Sequence, residues 1–211
     1  MKLTSDTFEE GGVIPGRCGF CVKDPKTFLR LSQNLSPQLE WRGAPEATQS
    51  FALICIDPDA PASKPDYVNT PGTLIPAKYP RGEFVHWLMV DVPATVTQLA
   101  EGSSSRAVIP GGKRIPAGPD GSRQGLNNYT QWFAGDHNME GPYLGYDGPC
   151  PPFNDSIPHH YVFTVYALDV PNLKVAAGFD LAALRSALTG HVLAEATLTG
   201  RYTTNPDIRL K

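Results

Sequence analysis

No stretch of the 211 residues approaches the roughly 20 consecutive apolar positions that a membrane-spanning helix needs. The opening "MKLTSDTFEEGGVIPG" carries acidic residues and no apolar centre, so it does not read as a signal peptide. An excess of one charge sign is also missing: 18 Lys and Arg stand against 21 Asp and Glu, a formal net of -3, with no block of like charge. That argues against a nucleic-acid partner and against an anionic-membrane face. Cysteine is scarce. Cys18, Cys21, Cys55 and Cys150 are too few for a disulfide framework in a chain of this size without a secretory signal. Cys18 and Cys21 form a CxxC in "RCGFC", but no second CxxC completes a zinc site and no thioredoxin-type helix is expected after it, so the cysteines read as structural or incidental. Internal repeats are lacking, low complexity is confined to the serines at 103–105, and no GxSxG elbow occurs. The expectation is a soluble, cytoplasmic chain without membrane insertion.

What is present is proline and glycine, 21 and 20 residues, scattered between apolar runs in a chain that is 41% hydrophobic. That pattern suits many strands joined by turns, in one domain over 1–211 and of mainly β class. Three runs read as buried central strands: "SFALICID" at 50–57, "FVHWLMVDV" at 84–92 and "YVFTVYALDV" at 161–170. The convincing helix begins in "FDLAALRSALTG", with Asp180 as cap, Leu181, Leu184 and Leu188 on one face and Gly190 at the end. A second helical segment is expected through "HVLAEA" at 191–196, followed by a closing strand in "TLTGRYTT". Residues 101–142 are polar and Gly-rich; a loop that long is either functional or holds short elements.

Three polar pieces interrupt the apolar runs. Period-two alternation puts His159 on one face with Tyr161, Phe163 and Val165, and His160 on the other. The same rule groups His86 with Phe84, Leu88 and Val90. "DPDAP" at 57–61 reads as a rigid turn that aims Asp57 and Asp59 at a strand end. If these strand ends converge they form a small polar pocket. A carboxylate beside two imidazoles favours their protonated forms, and a tyrosine hydroxyl with backbone N–H groups from "DGPCPP" adds donors, so the expected ligand is a small anion. Asp57, His86 and His159 also compose a two-His-one-carboxylate metal set or a hydrolytic set, but nothing supplies a substrate or cofactor frame, so a non-enzymatic protein without cofactor is expected. Tyr129, Trp132 and Phe133 in the 101–141 loop either pack down onto the sheet or offer a protein-binding surface.

The same residues carry a resemblance. From Leu35 onward, "LSPQLEWRGAPEATQSFALICIDPDAP", "FVHWLMVDVP", "RQGLNNYTQWFAG", "GYDGPCPPFNDSIPHHYVFTVYALDV" and "HVLAEATLTGRY" follow in order. In this the chain resembles the phosphatidylethanolamine-binding protein (PEBP) family, in its bacterial branch of Raf-kinase-inhibitor-like proteins, the YbhB/YbcL type. The resemblance implies a large central antiparallel sheet packed against a smaller sheet, with short helices near the C-terminus. It also implies an anion pocket for phosphate, phospho-headgroups or carboxylates, built by Asp57, His86, His159 and Tyr161, with Gly148 and Pro152 at the rim and Asp59 as a weaker candidate. A kinase or protease partner and a homodimer are further implications. Two departures stand out: the chain ends soon after "RYTTNPDIRLK", which leaves one pocket wall open or built differently, and the spacer "FNDSIP" before "HHY" is longer than in animal members.

Overall fold

The three apolar runs lie side by side in the computed structural model, which describes residues 1–210. In chain order the described elements are β1 (Lys2–Thr4), β2 (Cys21–Asp24), β3 (Phe28–Leu31), β4 (Leu39–Arg42), β5 (Ser50–Pro61), β6 (Arg81–Pro93), β7 (Gln98–Leu99), β8 (Arg123–Gln124), α1 (Tyr129–Trp132), β9 (His159–Leu168), α2 (Leu181–Leu188) and β10 (Val192–Tyr202). An antiparallel five-stranded sheet in the order β10-β9-β5-β6-β8 forms the centre; β1-β4-β7 make a smaller sheet and β2-β3 a hairpin.

Both faces of the central sheet are covered, which is why each of its middle strands carries a near-continuous apolar run. On one face Phe51, Leu53, Trp87, Met89, Phe163 and Val165 pack with Leu3, Leu39, Trp41 and Leu99 of the small sheet. On the other, Ala52, Ile54, Leu88, Val90 and Leu168 pack with Leu184 and Leu188 of α2. Each large side chain so buried contributes about 1.5–3 kcal/mol. Helix α2 starts as its sequence dictates, the Asp180 carboxylate accepting from the Ala183 N–H at 2.9 Å, and the chain leaves it through Gly190 at φ 83°.

Four expectations are corrected. Residues 191–196 are not helical: β10 begins at Val192 and pairs with β9 from Val192↔Leu168 to Tyr202↔His159. Ladder bonds to a central strand outweigh the helix propensity of Leu, Ala and Glu there. "DPDAP" is not a turn. Strand β5 continues to Pro61, with a bulge where Asp57↔Phe84 passes to Ala60↔Gly82. The bulge accommodates Pro58 and Asp59, and the Asp57 carboxylate caps it by accepting the Asp59 N–H at 2.8 Å. His86 does not share a face with Leu88 and Val90. Cys55 faces Trp87 and Ile56 faces Val85, so His86 is the extra residue of a second bulge; Val85 joins Leu88 and Val90 under α2, and His86 turns the other way. Finally, two cysteines are bridged across the chain, Cys21 to Cys150, with Cα atoms 5.1 Å apart, whereas Cys18 and Cys55 are free and buried. The 101–142 stretch does hold short elements, β8 and α1.

Candidate functional site

Because β5 lies between β9 and β6, the end of one central strand and the beginnings of its two neighbours meet at one edge. There Asp57, Phe84, His86, His159 and Tyr161 line a cavity of about 40 Å³, completed by Ala60 and Pro61 of β5, by Tyr129 and Trp132 of α1, and by Cys150, Pro151 and Pro152 of the rim loop. The alternation in β9 holds: His159 and Tyr161 are buried and His160 is exposed. The volume has room for about three water-sized groups, a single water needing about 10–15 Å³ on the same measure.

His159 is spent on carboxylates. Its Nδ1 lies 2.6 Å from Asp57 Oδ2 and its Nε2 3.2 Å from Asp155 Oδ2. Burial by itself lowers its basicity, but the two carboxylates outweigh burial and raise its pKa to about 9, so it is an imidazolium at neutral pH. Asp155 in turn takes a two-pronged contact from Arg81, at 2.5 and 3.0 Å. Burial acts to raise Asp155, yet hydrogen bonds from His159 and Arg81 hold it below the usual carboxylate value. The result is a row of alternating charge, Asp57, His159, Asp155, Arg81.

His86 is set differently, which corrects the expectation of two imidazolium groups. Its Nδ1 is 2.7 Å from the Asp147 carbonyl, so Nδ1–H donates and Nε2 of the neutral ring is an acceptor. Burial outweighs the pull of Asp57 and keeps its pKa below the ordinary imidazole value. The ring packs edge-on against Tyr161 and Tyr129, at 5.0 and 5.7 Å between centroids. Asp147 is itself anchored from three remote places: Asn34 Nδ2 at 2.7 Å, Asn127 Nδ2 at 2.8 Å and Lys113 Nζ at 3.1 Å. Burial raises the Asp147 pKa and lowers that of Lys113. Lys113 and Asn127 belong to the long loop, whose service to the site is therefore to fix the orientation of His86 from below.

Of the residues expected from sequence, Asp57, His86, His159, Tyr161 and Pro152 line the cavity together. Asp59 does not; its Oδ2 accepts from the backbone N–H of His160 and lies 2.7 Å from that residue's ring Nδ1. Gly148 stands behind the rim. Its N–H donates to Asn34 Oδ1, its carbonyl accepts from the Tyr129 hydroxyl, and a Cβ there would sit 1.9 Å from the Cys18 carbonyl oxygen. Gly148→Ala is therefore expected to cost about 1–3 kcal/mol through overpacking, read as a lower urea midpoint at unchanged m-value. The chain end supports the rim too: Thr204 Oγ1 donates to the Pro151 carbonyl and Asn205 Nδ2 to the Asp155 carbonyl. Tyr129 packs down as expected, stacked on Phe20 at 4.4 Å, while Trp132 lines the mouth with Lys64 Nζ 4.6 Å from its ring.

Sequence reading missed Asp155, Arg81, Asp147 and Lys113. Asp155 had one local signal, its place four residues before His159 in the Pro-flanked spacer; the others are brought in only by tertiary structure.

Comparison with known proteins bears on family and fold. A family model described as phosphatidylethanolamine-binding protein matches residues 4–203. The chain is 33% identical to a UPF0098 protein of Methanothermobacter thermautotrophicus over 96% of its own length and 98% of the relative's. It is 29% identical to the UPF0098 protein YbhB of Escherichia coli, over 96% and 99%. The crystal structure of E. coli YbcL, described as a new member of the mammalian PEBP family, superposes with a TM-score of 0.68 at 28% identity, covering 96% of this chain and 97% of that one.

Proposed function

Since the chain belongs to the phosphatidylethanolamine-binding protein family, we propose that it binds, without transforming it, a small phosphorylated or carboxylated ligand in the pocket between Asp57, His86, His159 and Tyr161. The observation that carries this reading is the cavity itself: about 40 Å³, with Asp57, His86 and His159 at its floor and Pro61, Pro151 and Pro152 around it, room for a small polar group.

The ionisation pattern restricts how such a ligand enters. With His159 committed to two carboxylates, the floor presents the Asp57 carboxylate and the acceptor side of His86. An oxyanion facing acceptors needs a proton between them. The ligand arrives as its protonated form, or His86 takes up a proton as the anion binds, and affinity rises as pH falls in either case. A metal set of Asp57, His86 and His159 fits less well, because both nitrogens of His159 already face carboxylates.

Isothermal titration of phosphate and phosphoethanolamine at pH 6 and pH 8, beside a folded His86→Ala variant, tests the reading. Binding that is tighter at pH 6 and at least tenfold weaker in the variant is expected. No heat at millimolar ligand overturns the reading, and equal binding by the variant removes the ligand from this pocket.

A second reading, protein recognition through residues 101–141 by a kinase or protease, has one observation in its favour: Ile115 is 74% exposed and Ile109 42%, an apolar pair on a Gly-rich loop.

A further inference from the structure

The Cys21–Cys150 bridge joins the first residue of β2 to the pocket rim. Its two sulfurs differ in surroundings. Cys21 is buried and lines only the second of two adjoining cavities, whereas Cys150 is half-buried and lines both. One is the candidate pocket; the other is a side groove of about 270 Å³ between Phe20, Leu29, Leu31, Trp132 and Phe133. Cys150 is followed directly by Pro151 and Pro152, which form the pocket edge. We propose that this disulfide is a redox modification site, opened by a low-molecular-weight thiol entering the side groove, and that its opening weakens ligand binding in the pocket. The inference rests on the small-anion reading above.

The exchange balances with two equivalents of thiol. A thiolate attacks Cys150 Sγ, forming a mixed disulfide there; the bond to Cys21 breaks, and Cys21 leaves as a thiolate that takes a proton from solvent. A second thiolate attacks the sulfur of the bound thiol, releasing the oxidised thiol dimer, and Cys150 is protonated in turn. Two electrons pass from the two thiols to the cystine. Cys18, three residues before Cys21, does not replace the external thiol: burial pushes its pKa up to about 12, so it stays protonated, and its side chain lies in the main core. The CxxC is thus bridged outward through one member only.

Reduction does not release the rim wholly, because the Pro149 carbonyl still accepts from the Phe20 and Cys21 N–H groups at 2.9 and 3.4 Å. What is lost is the covalent anchor on the side chain next to Pro151, and with it part of the preorganisation of the edge. The expected effect is a several-fold loss of affinity with the fold retained.

The experiment titrates phosphate into protein equilibrated with oxidised glutathione, into the same protein reduced with dithiothreitol, and into a Cys21→Ser/Cys150→Ser double variant. Free thiols are counted in denaturant: two in the oxidised sample, Cys18 and Cys55, and four after reduction. At least threefold weaker binding on reduction, matched by the double variant, supports the proposal. Four thiols in the oxidised sample, or equal affinities in both states, overturn it and leave the pocket reading standing. No binding by the oxidised protein overturns both. Should the double variant fail to fold, the reduced wild-type chain decides alone.

Discussion

Asp155→Ala is expected to lower the unfolding free energy by about 3–5 kcal/mol, the usual cost of removing one partner from a buried ion pair. The carboxylate is almost fully buried and holds two cations at once, the Arg81 guanidinium through both oxygens and the His159 ring through Nε2. Deleting it strands both in a low-dielectric environment with Asp57 as the remaining anion within reach of His159. Arg81 has little reserve, since its Nε is already buried without a hydrogen-bond partner among the described residues, though Nη1 and Nη2 also reach the Asp59 and Pro76 carbonyls. Urea denaturation at pH 7 measures the loss. Asp155→Asn, which keeps the shape and one acceptor oxygen, should fall between the alanine variant and the wild type. A loss under about 1 kcal/mol for the alanine variant would mean that water or rearrangement compensates the cations.

The second large effect is on alkaline stability. His159 has a folded pKa raised to about 9, against about 6.5 for an unperturbed histidine. A group whose pKa is raised by folding stabilises the native state fully below its unfolded pKa, and that contribution disappears as pH climbs through the folded value. The difference corresponds to roughly 3 kcal/mol, present at pH 6 and lost by about pH 9.5. Asp155, held below the ordinary carboxylate value, works in the opposite window: its contribution is present at neutral pH and is lost on strong acidification. Stability should therefore peak on the mildly acidic side of neutrality. Urea midpoints at pH 6, 7.5 and 9.5 check the alkaline limb. A profile flat to pH 9.5 would show that His159 is not an imidazolium in the folded protein.

The strands were legible because burial on both faces leaves a continuous apolar signature, as in residues 50–57 and 161–170. The facing of His159 and Tyr161 was legible for the same reason, since β9 runs without a bulge through its first half against β10. His86 was assigned to the wrong face because a bulge shifts alternation by one, and nothing in "FVHWLMVDV" marks where the extra residue lies. Residues 191–196 carry a composition that suits either helix or strand, and the neighbour β9 decides. Two ion pairs were illegible in principle: Arg81 and Asp155 are 74 residues apart and Lys113 and Asp147 are 34 apart, and pairing at such separations leaves no periodic trace. The Cys21–Cys150 bridge, spanning 129 residues, escaped for the same reason. The polar interruptions in three strands and the family resemblance pointed to the same residues; neither carried information about which histidine keeps its proton.

The row Asp57, His159, Asp155, Arg81 alternates in sign and sums to zero. A balanced multipole of this kind fades with distance much faster than a lone charge, and beyond about 8 Å ordinary cellular salt screens what remains. Under the proposed function this row exerts almost no pull on an approaching ligand, and the charge met first is the Lys64 ammonium beside Trp132. On that reading selection happens at contact, by fit and by protonation state, and this row adds nothing to long-range steering. If the proposed function holds, a site arranged in this way samples whatever diffuses past and retains the few molecules that match it.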